Sequence, residues 1–284
     1  MLSKKYLSAA LLLLCGTVLH AQRDLLAYRS ALQRFKEHGA MVISPDTQMI
    51  EILKREITFG EIIGKTEADP TRFKGLFIVE YSNRPNYSYG NMYGHKTAYT
   101  GFFLAVNEAY IKPYEQPKKL GKSLFLAALR VPNETREKLP MYAAVLDGLI
   151  RLTYEQDKDL SVLPKDGENG VNLALGNKPA EIKNKELLIM EYEAAQTIRD
   201  PEAVARQYPY PYRILDFTDV VRAFDERTPG KAVMVTTMLE NYVGKYILDC
   251  ETHELLYGRQ HISRSRYVHD RDLGVVYAAI RRAE

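Results

Sequence analysis

The chain has 284 residues, with 39 Lys and Arg against 36 Asp and Glu and a formal charge of +3 at pH 7. A hydrophobic fraction of 46 % excludes a disordered chain, and the near-balance of charge excludes a surface built for nucleic acid. Two cysteines in this length exclude a disulfide-stapled scaffold, and the length suffices for one large domain or two ordinary ones.

The first residues read as a secretory leader. Met1 to Lys5 is short and basic, Leu7 to Leu19 is nearly all apolar, and Ala21 offers a small residue for cleavage. The apolar run is short for a bilayer span. Residues 1–21 are therefore expected to be a signal peptide, which places the mature chain in the periplasm or outside the cell with no transmembrane span. The alternatives are a retained anchor and lipid attachment at Cys15. Bulky Leu13 and Leu14 argue against attachment, because small residues are wanted there. Loss of Lys4 and Lys5 leaves 37 basic against 36 acidic residues. Only Cys250 survives cleavage, so no internal disulfide forms. It ends an apolar run, Tyr246 to Leu248, and reads as a buried small residue.

Arg23 to His38 has helical spacing at Leu25, Leu26, Ala31, Leu32 and Phe35, and Gly39 stops it. Met41 to Ile43 is a short extended run. Ser44-Pro45-Asp46 opens a second helix to about Arg55, with Met49, Ile50, Leu53 and Ile57 on one face. Leu76 to Tyr81, Thr100 to Val106 and Ser123 to Val131 predict strands, and Ala109 to Tyr114 extends or pairs with the second. Asn133 or Thr135 then caps a helix carrying Met141, Ala144, Val145, Leu149 and Leu152. Residues 158–183 are turn-rich and read as a linker between a domain at 22–157 and one at 184–284, with a short strand near Val171 to Leu175.

The second half alternates more cleanly. Leu187 to Met190 is a strand, and Asp200-Pro201-Glu202 starts a helix with Asp as cap and Pro in its first turn. Tyr212 to Leu215 is a strand, and Thr218 caps a helix holding Val220, Val221 and Phe224. Ala232 to Met238 is a strand, Val243 to Tyr257 is a hairpin turning at Glu251 to His253, and Val275 to Arg282 is a closing helix. The fold class is α+β or α/β: N-terminal helices with a mainly antiparallel sheet, then a smaller β-α-β-α-β-β unit. No period of 20 to 50 residues repeats.

The segment from Lys185 to Gly258 carries Leu187-Leu188-Ile189, Tyr208-Pro209-Tyr210-Pro211-Tyr212, Ala232-Val233-Met234-Val235 and Tyr246-Ile247-Leu248-Asp249. In these it resembles a recurrent type of uncharacterised exported protein of Gram-negative bacteria. That resemblance spans about a quarter of the chain. It implies export and an α/β unit, and it implies no site.

No zinc-protease pair, nucleophile elbow, P-loop or dinucleotide fingerprint is present. Asp166-Gly167-Glu168-Asn169-Gly170 lacks the closing carboxylate of a calcium loop. No metal or cofactor is expected. Two segments stand out as candidate ligand-binding residues. Tyr87, Tyr89, Tyr93 and His95 lie in a loop rich in Tyr, Gly and Asn, a composition that stacks on sugars or lines a partner surface. Arg259 to Arg271 is basic and carries His261, Ser263, Arg264, Ser265, Arg266 and Tyr267, which suits an anion such as phosphate or an acidic glycan. The expected function is a non-enzymatic envelope module that binds a ligand or another protein, with an envelope protein or glycan as partner. The alternative is a hydrolase of envelope material with a dispersed site including His261, His269 and Asp270.

Overall fold

The computed structural model describes residues 30, 32–33, 35–43, 47–65, 76–82, 99–106, 124–132, 137–156, 173–176, 178–239, 242–262, 265 and 267–284. Helix α1 spans the described part of residues 30–38, and strand β1 (Ala40–Ile43) follows after Gly39. That glycine sits at φ +78°, where a Cβ would meet the Glu61 carbonyl at 2.6 Å. Helix α2 (Thr47–Glu56) comes next, and its expected face of Met49, Ile50 and Leu53, with Ile57 just beyond, is buried. Strands β2 (Ile62–Lys65), β3 (Leu76–Ser82), β4 (Tyr99–Val106) and β5 (Leu124–Pro132) complete a five-stranded sheet in the order β2-β1-β3-β4-β5. The sheet is mixed: β1 pairs in parallel with β2 and β3, and β3, β4 and β5 are antiparallel. Helix α3 (Leu139–Gln156) closes this half. It begins beyond the expected cap residues, after a 3-10 turn at 137–138.

The second half repeats that plan. Strand β6 (Leu173–Leu175) and the 3-10 helix Pro179–Asn184 lie within the expected linker, and β6 pairs with the second sheet. Then come β7 (Glu186–Met190), α4 (Pro201–Ala205), β8 (Tyr212–Leu215), α5 (Phe217–Asp225), β9 (Lys231–Leu239), β10 (Tyr242–Asp249), β11 (Leu255–Ile262) and α6 (Asp270–Ala283). The sheet order is β6-β11-β10-β9-β7-β8. Here β7 pairs in parallel with β8 and β9, and β9, β10 and β11 are antiparallel. Without β6, this is the first sheet again, strand for strand.

The equivalence holds residue by residue. Ala40 pairs with Ile62 and Leu76, and Leu187 pairs with Tyr212 and Ala232. Leu76 faces Val106, and Ala232 faces Asp249. The bulge between Leu104 and Ala105 recurs between Ile247 and Leu248, the matching positions. Tyr99 and Gly101 then coincide with Tyr242 and Gly244. The element before the first strand touches the closing helix in both halves, through Tyr154 to Gln33 at 2.7 Å and Lys183 to Glu284 at 3.0 Å.

The two units stack front to back in four layers. Helices α2 and α3 cover one face of the first sheet, and the second sheet lies on their other side. Leu188, Met190, Val233, Val235, Tyr246 and Leu248 belong to one buried cluster with Leu146, Leu149, Met49 and Leu53. The alternate residues Leu187, Ile189, Ala232, Met234 and Ile247 face α4 and α6 in a second cluster. Both faces of this sheet are therefore buried, which explains its unbroken apolar strands. Helix α3 is buried at every position from 139 to 150. Cys250 is buried at the end of β10, and burial pushes its thiol up to about 12.

Three boundaries differ from expectation. Asp216, not Thr218, caps α5, because its carboxylate accepts the Asp219 N–H at 2.9 Å. Helix α6 starts at Asp270 rather than near Val275. Strand β11 runs to Ile262, so the basic stretch begins as sheet rather than as a connection. The cap of α4 is as expected: Asp200 accepts from the N–H groups of Glu202 and Ala203.

Candidate functional site

The second unit brings two irregular segments together beside α6. Short 3-10 turns at Glu191–Glu193 and Gln196–Arg199 flank Ala194, which bridges in parallel to Val268. The Val268 N–H donates to the Glu193 carbonyl at 2.7 Å, and the Ala195 N–H to the Val268 carbonyl at 3.0 Å. His269 is the N-cap of α6, and its N–H donates to the Asp272 carboxylate at 2.8 Å. Beneath this junction Asp272 meets Lys245 of β10, both buried, and the Lys245 ammonium also donates to the Tyr267 carbonyl at 2.7 Å. Burial pushes the Lys245 ammonium below its ordinary range, while Asp272 pulls the other way. The pair floors a small, mostly apolar cleft walled by Met234, Ile247, Tyr257 and Val276.

Tyr192 and Tyr267, on these two tied segments, are the exposed large apolar side chains among the described residues, at 42 % and 43 %. The Tyr192 hydroxyl donates to the Met190 sulfur at 3.3 Å, its ring lies 6.0 Å from Phe217, and the Lys138 ammonium sits 4.6 Å from the ring centre. Lys138 is in turn paired with Glu193 in a buried ion pair. The Tyr192 ring is thus held by these contacts while remaining partly exposed.

Beside the Tyr267 backbone lies a chain of hydroxyls and imidazole. Ser265 Oγ is 2.9 Å from His269 Nε2, and His269 Nδ1 is 3.5 Å from Thr197 Oγ1. The Tyr267 N–H donates to Ser265 Oγ at 3.3 Å. Asp270 adjoins this chain at Thr197. It accepts from Gln207 at 2.8 Å, and its own N–H donates to Thr197 Oγ1 at 3.3 Å. Burial opposes ionisation of Asp270, but hydrogen bonds from the Arg271 N–H, Thr197 and Gln207 hold its carboxyl below the usual range.

Of the expected binding residues, Tyr87, Tyr89, Tyr93, His95, Arg264 and Arg266 lie outside the described residues. His261 is placed by its backbone alone, opposite Val243. His269 and Asp270, adjacent in sequence, do not hydrogen-bond to each other's side chains among the contacts above. Tyr192 and Thr197 escaped the sequence reading, because an irregular stretch of 3-10 turns has no periodic signature.

Other charged groups tie the two units together. His253, at φ +62°, is buried in the β10–β11 turn and stacks 3.8 Å from the Phe224 ring. Its Nδ1 lies 2.6 Å from Glu56 and its Nε2 2.9 Å from the Phe224 carbonyl. Within the first unit, Asp147 of α3 accepts from the N–H groups of Thr58 and Phe59 and from Arg151. Among the described residues no group of three His, Cys, Asp or Glu is placed to hold a metal ion. Among them, too, no helix is long and apolar enough to cross a membrane. No protein-family model, curated protein or solved structure matches the chain.

Proposed function

We propose that this chain is an exported envelope protein that binds a glycan at the corner where residues 192–199 meet 265–271. The observation that carries this reading is the exposure of Tyr192 and Tyr267 on two segments tied by the Ala194–Val268 bridge. Sugars present an apolar C–H face ringed by hydroxyls. An exposed tyrosine ring matches that face, and the Ser265, Thr197 and His269 side chains near the Tyr267 backbone match the hydroxyls. Exposed Arg271 adds positive charge suited to an acidic sugar.

The test is retention of the purified mature chain on insoluble cell-wall glycan, with Tyr192→Ala and Tyr267→Ala beside it. An aromatic stacking contact contributes about 0.5–1.5 kcal/mol, so each substitution is expected to weaken retention by about two- to tenfold. Wild-type protein that is not retained, or variants retained equally well, would overturn the reading. Export is tested separately, by N-terminal sequencing of protein recovered from the envelope fraction. A chain beginning at Gln22 is expected.

A further inference from the structure

The Tyr192 ring is supported from the layer between the two units. Met190, whose sulfur accepts the Tyr192 hydroxyl, is buried in the cluster that holds Leu146, Leu149, Met49 and Leu53 of the first unit, and Phe217 packs against that cluster. Lys138 comes from the first unit itself. It stands in the 3-10 turn just before α3 and is 1 % exposed. We propose that Lys138 is a positioning residue for the Tyr192 platform, so that the sugar-binding corner is assembled from both units rather than from the second alone. The proposal rests on the glycan reading above and names what regulates that site, namely the stacking of the units.

The Lys138 ammonium meets two groups at once. It pairs with Glu193, and it lies 4.6 Å from the centre of the Tyr192 ring. A link that served only to join the units would need the carboxylate alone. Tyr192, Glu193 and Ala194 are consecutive, and Ala194 bridges to Val268, so the cation grips the segment right beside its tie to α6. Being buried, it attracts an aromatic ring more strongly than a solvated cation does. A ring 42 % exposed that lacked such a hold would have to be ordered by the ligand, at a loss of about two- to tenfold in affinity. Tyr267 provides the contrast. Its described backbone contacts, to Ser265 and Lys245, lie within the second unit. Loss of the Lys138 charge should therefore disturb one tyrosine and spare the other.

The test protein is the full chain carrying Lys138→Met together with Glu193→Leu. This pair removes the cation without stranding a buried carboxylate, and it keeps the Val268 N–H bond to the carbonyl of residue 193. Hydroxyl-radical oxidation without ligand is read at each tyrosine by peptide mass mapping. Oxidation of Tyr192 is expected to rise by about twofold, as its 42 % exposure allows, against an unchanged Tyr267. Retention on insoluble cell-wall glycan is expected to fall by about two- to tenfold. Tyr192→Ala added to the pair should then cost less than about twofold more, whereas Tyr267→Ala should cost as much as it does in the wild type. Should the pair not fold, Lys138→Gln, which still offers Glu193 a donor but no charge, is read in the same assays with the same expectations. Unchanged oxidation of Tyr192, equal rises at both tyrosines, or a Tyr192→Ala loss that persists in full would overturn the proposal. Wild-type protein that is not retained overturns the glycan reading instead, and the ligand-free oxidation still decides whether Lys138 holds the ring.

Discussion

Gly148→Ala tests how tightly the two units are stacked. Gly148 lies inside α3, where Ala is favoured over Gly by about 1 kcal/mol, so helix propensity alone predicts a gain. The packing predicts the opposite. A Cβ at this position would lie 2.3 Å from Leu255 Cβ and 2.9 Å from its Cδ2. Helix α3 would have to back away from β11 by a substantial part of an ångström. On its other side Asp147 is held by the Thr58 and Phe59 N–H groups at 2.9 and 2.8 Å, so retreat strains those bonds. Overpacking a fitted core costs about 1–3 kcal/mol. The net expectation is a loss of about 1 kcal/mol, which lowers Tm by about 2–4 °C in a chain of this size. Thermal unfolding followed by circular dichroism measures it. The Leu255→Ala background sharpens the test, because alanine keeps the Cβ that makes the closest contact. Gly148→Ala should therefore remain destabilising there. A raised Tm in the wild-type background would mean that α3 and β11 do not meet as closely as described.

Further expectations concern buried charge. Burial raises the Glu56 carboxyl, but the hydrogen bond and charge of His253, with Arg55, bring it below its ordinary 4.5. Its stabilisation is present above that value and is lost as pH falls through the lower folded value. Glu56→Gln should cost on the order of 3 kcal/mol by urea unfolding at neutral pH. The gap to wild type should narrow only in acid, and a gap that closes near neutrality would refute this origin. Lys138→Met leaves Glu193 buried, with one oxygen already lacking a hydrogen-bond partner. It should cost about 3–5 kcal/mol, and adding Glu193→Leu should recover part of that in the same urea assay. Cys250, its thiol pushed up to about 12 by burial, should resist a disulfide reagent in the native protein and react at once in concentrated guanidinium. Rapid native reaction would contradict its burial.

The sequence carried the elements better than their arrangement. The apolar runs of β7 and β9 and the face of α2 were legible because periodicity and burial agree there. The α4 cap was legible because Asp followed by Pro has one reading. Asp216 and Thr218 are both capping residues, and only the carboxylate's reach to Asp219 decides between them. The first turn of α6 was hidden because Asp270-Arg271-Asp272 looks solvated. Asp272 is in fact buried against Lys245, 27 residues away. The duplication left little trace in the residues. Its offset is 147 from Ala40 to Leu187, 156 from Leu76 to Ala232 and 143 from Val106 to Asp249. Helix α5 is among the described elements that make the spacing uneven. The candidate corner was half legible. Ser265, Tyr267 and His269 were noticed as composition, but their partners Thr197 and Tyr192 come from a segment that only the fold brings near.

The two closing helices give the stack a direction. Helix α3 is enclosed because another sheet follows it, whereas α6 presents Arg271, Arg281 and Arg282 outward. A further copy of the unit appended after residue 284 would find charged side chains where the second sheet found α3's apolar ones. Lengthening the array by engineering would therefore first require rewriting α6's outer side in the manner of α3.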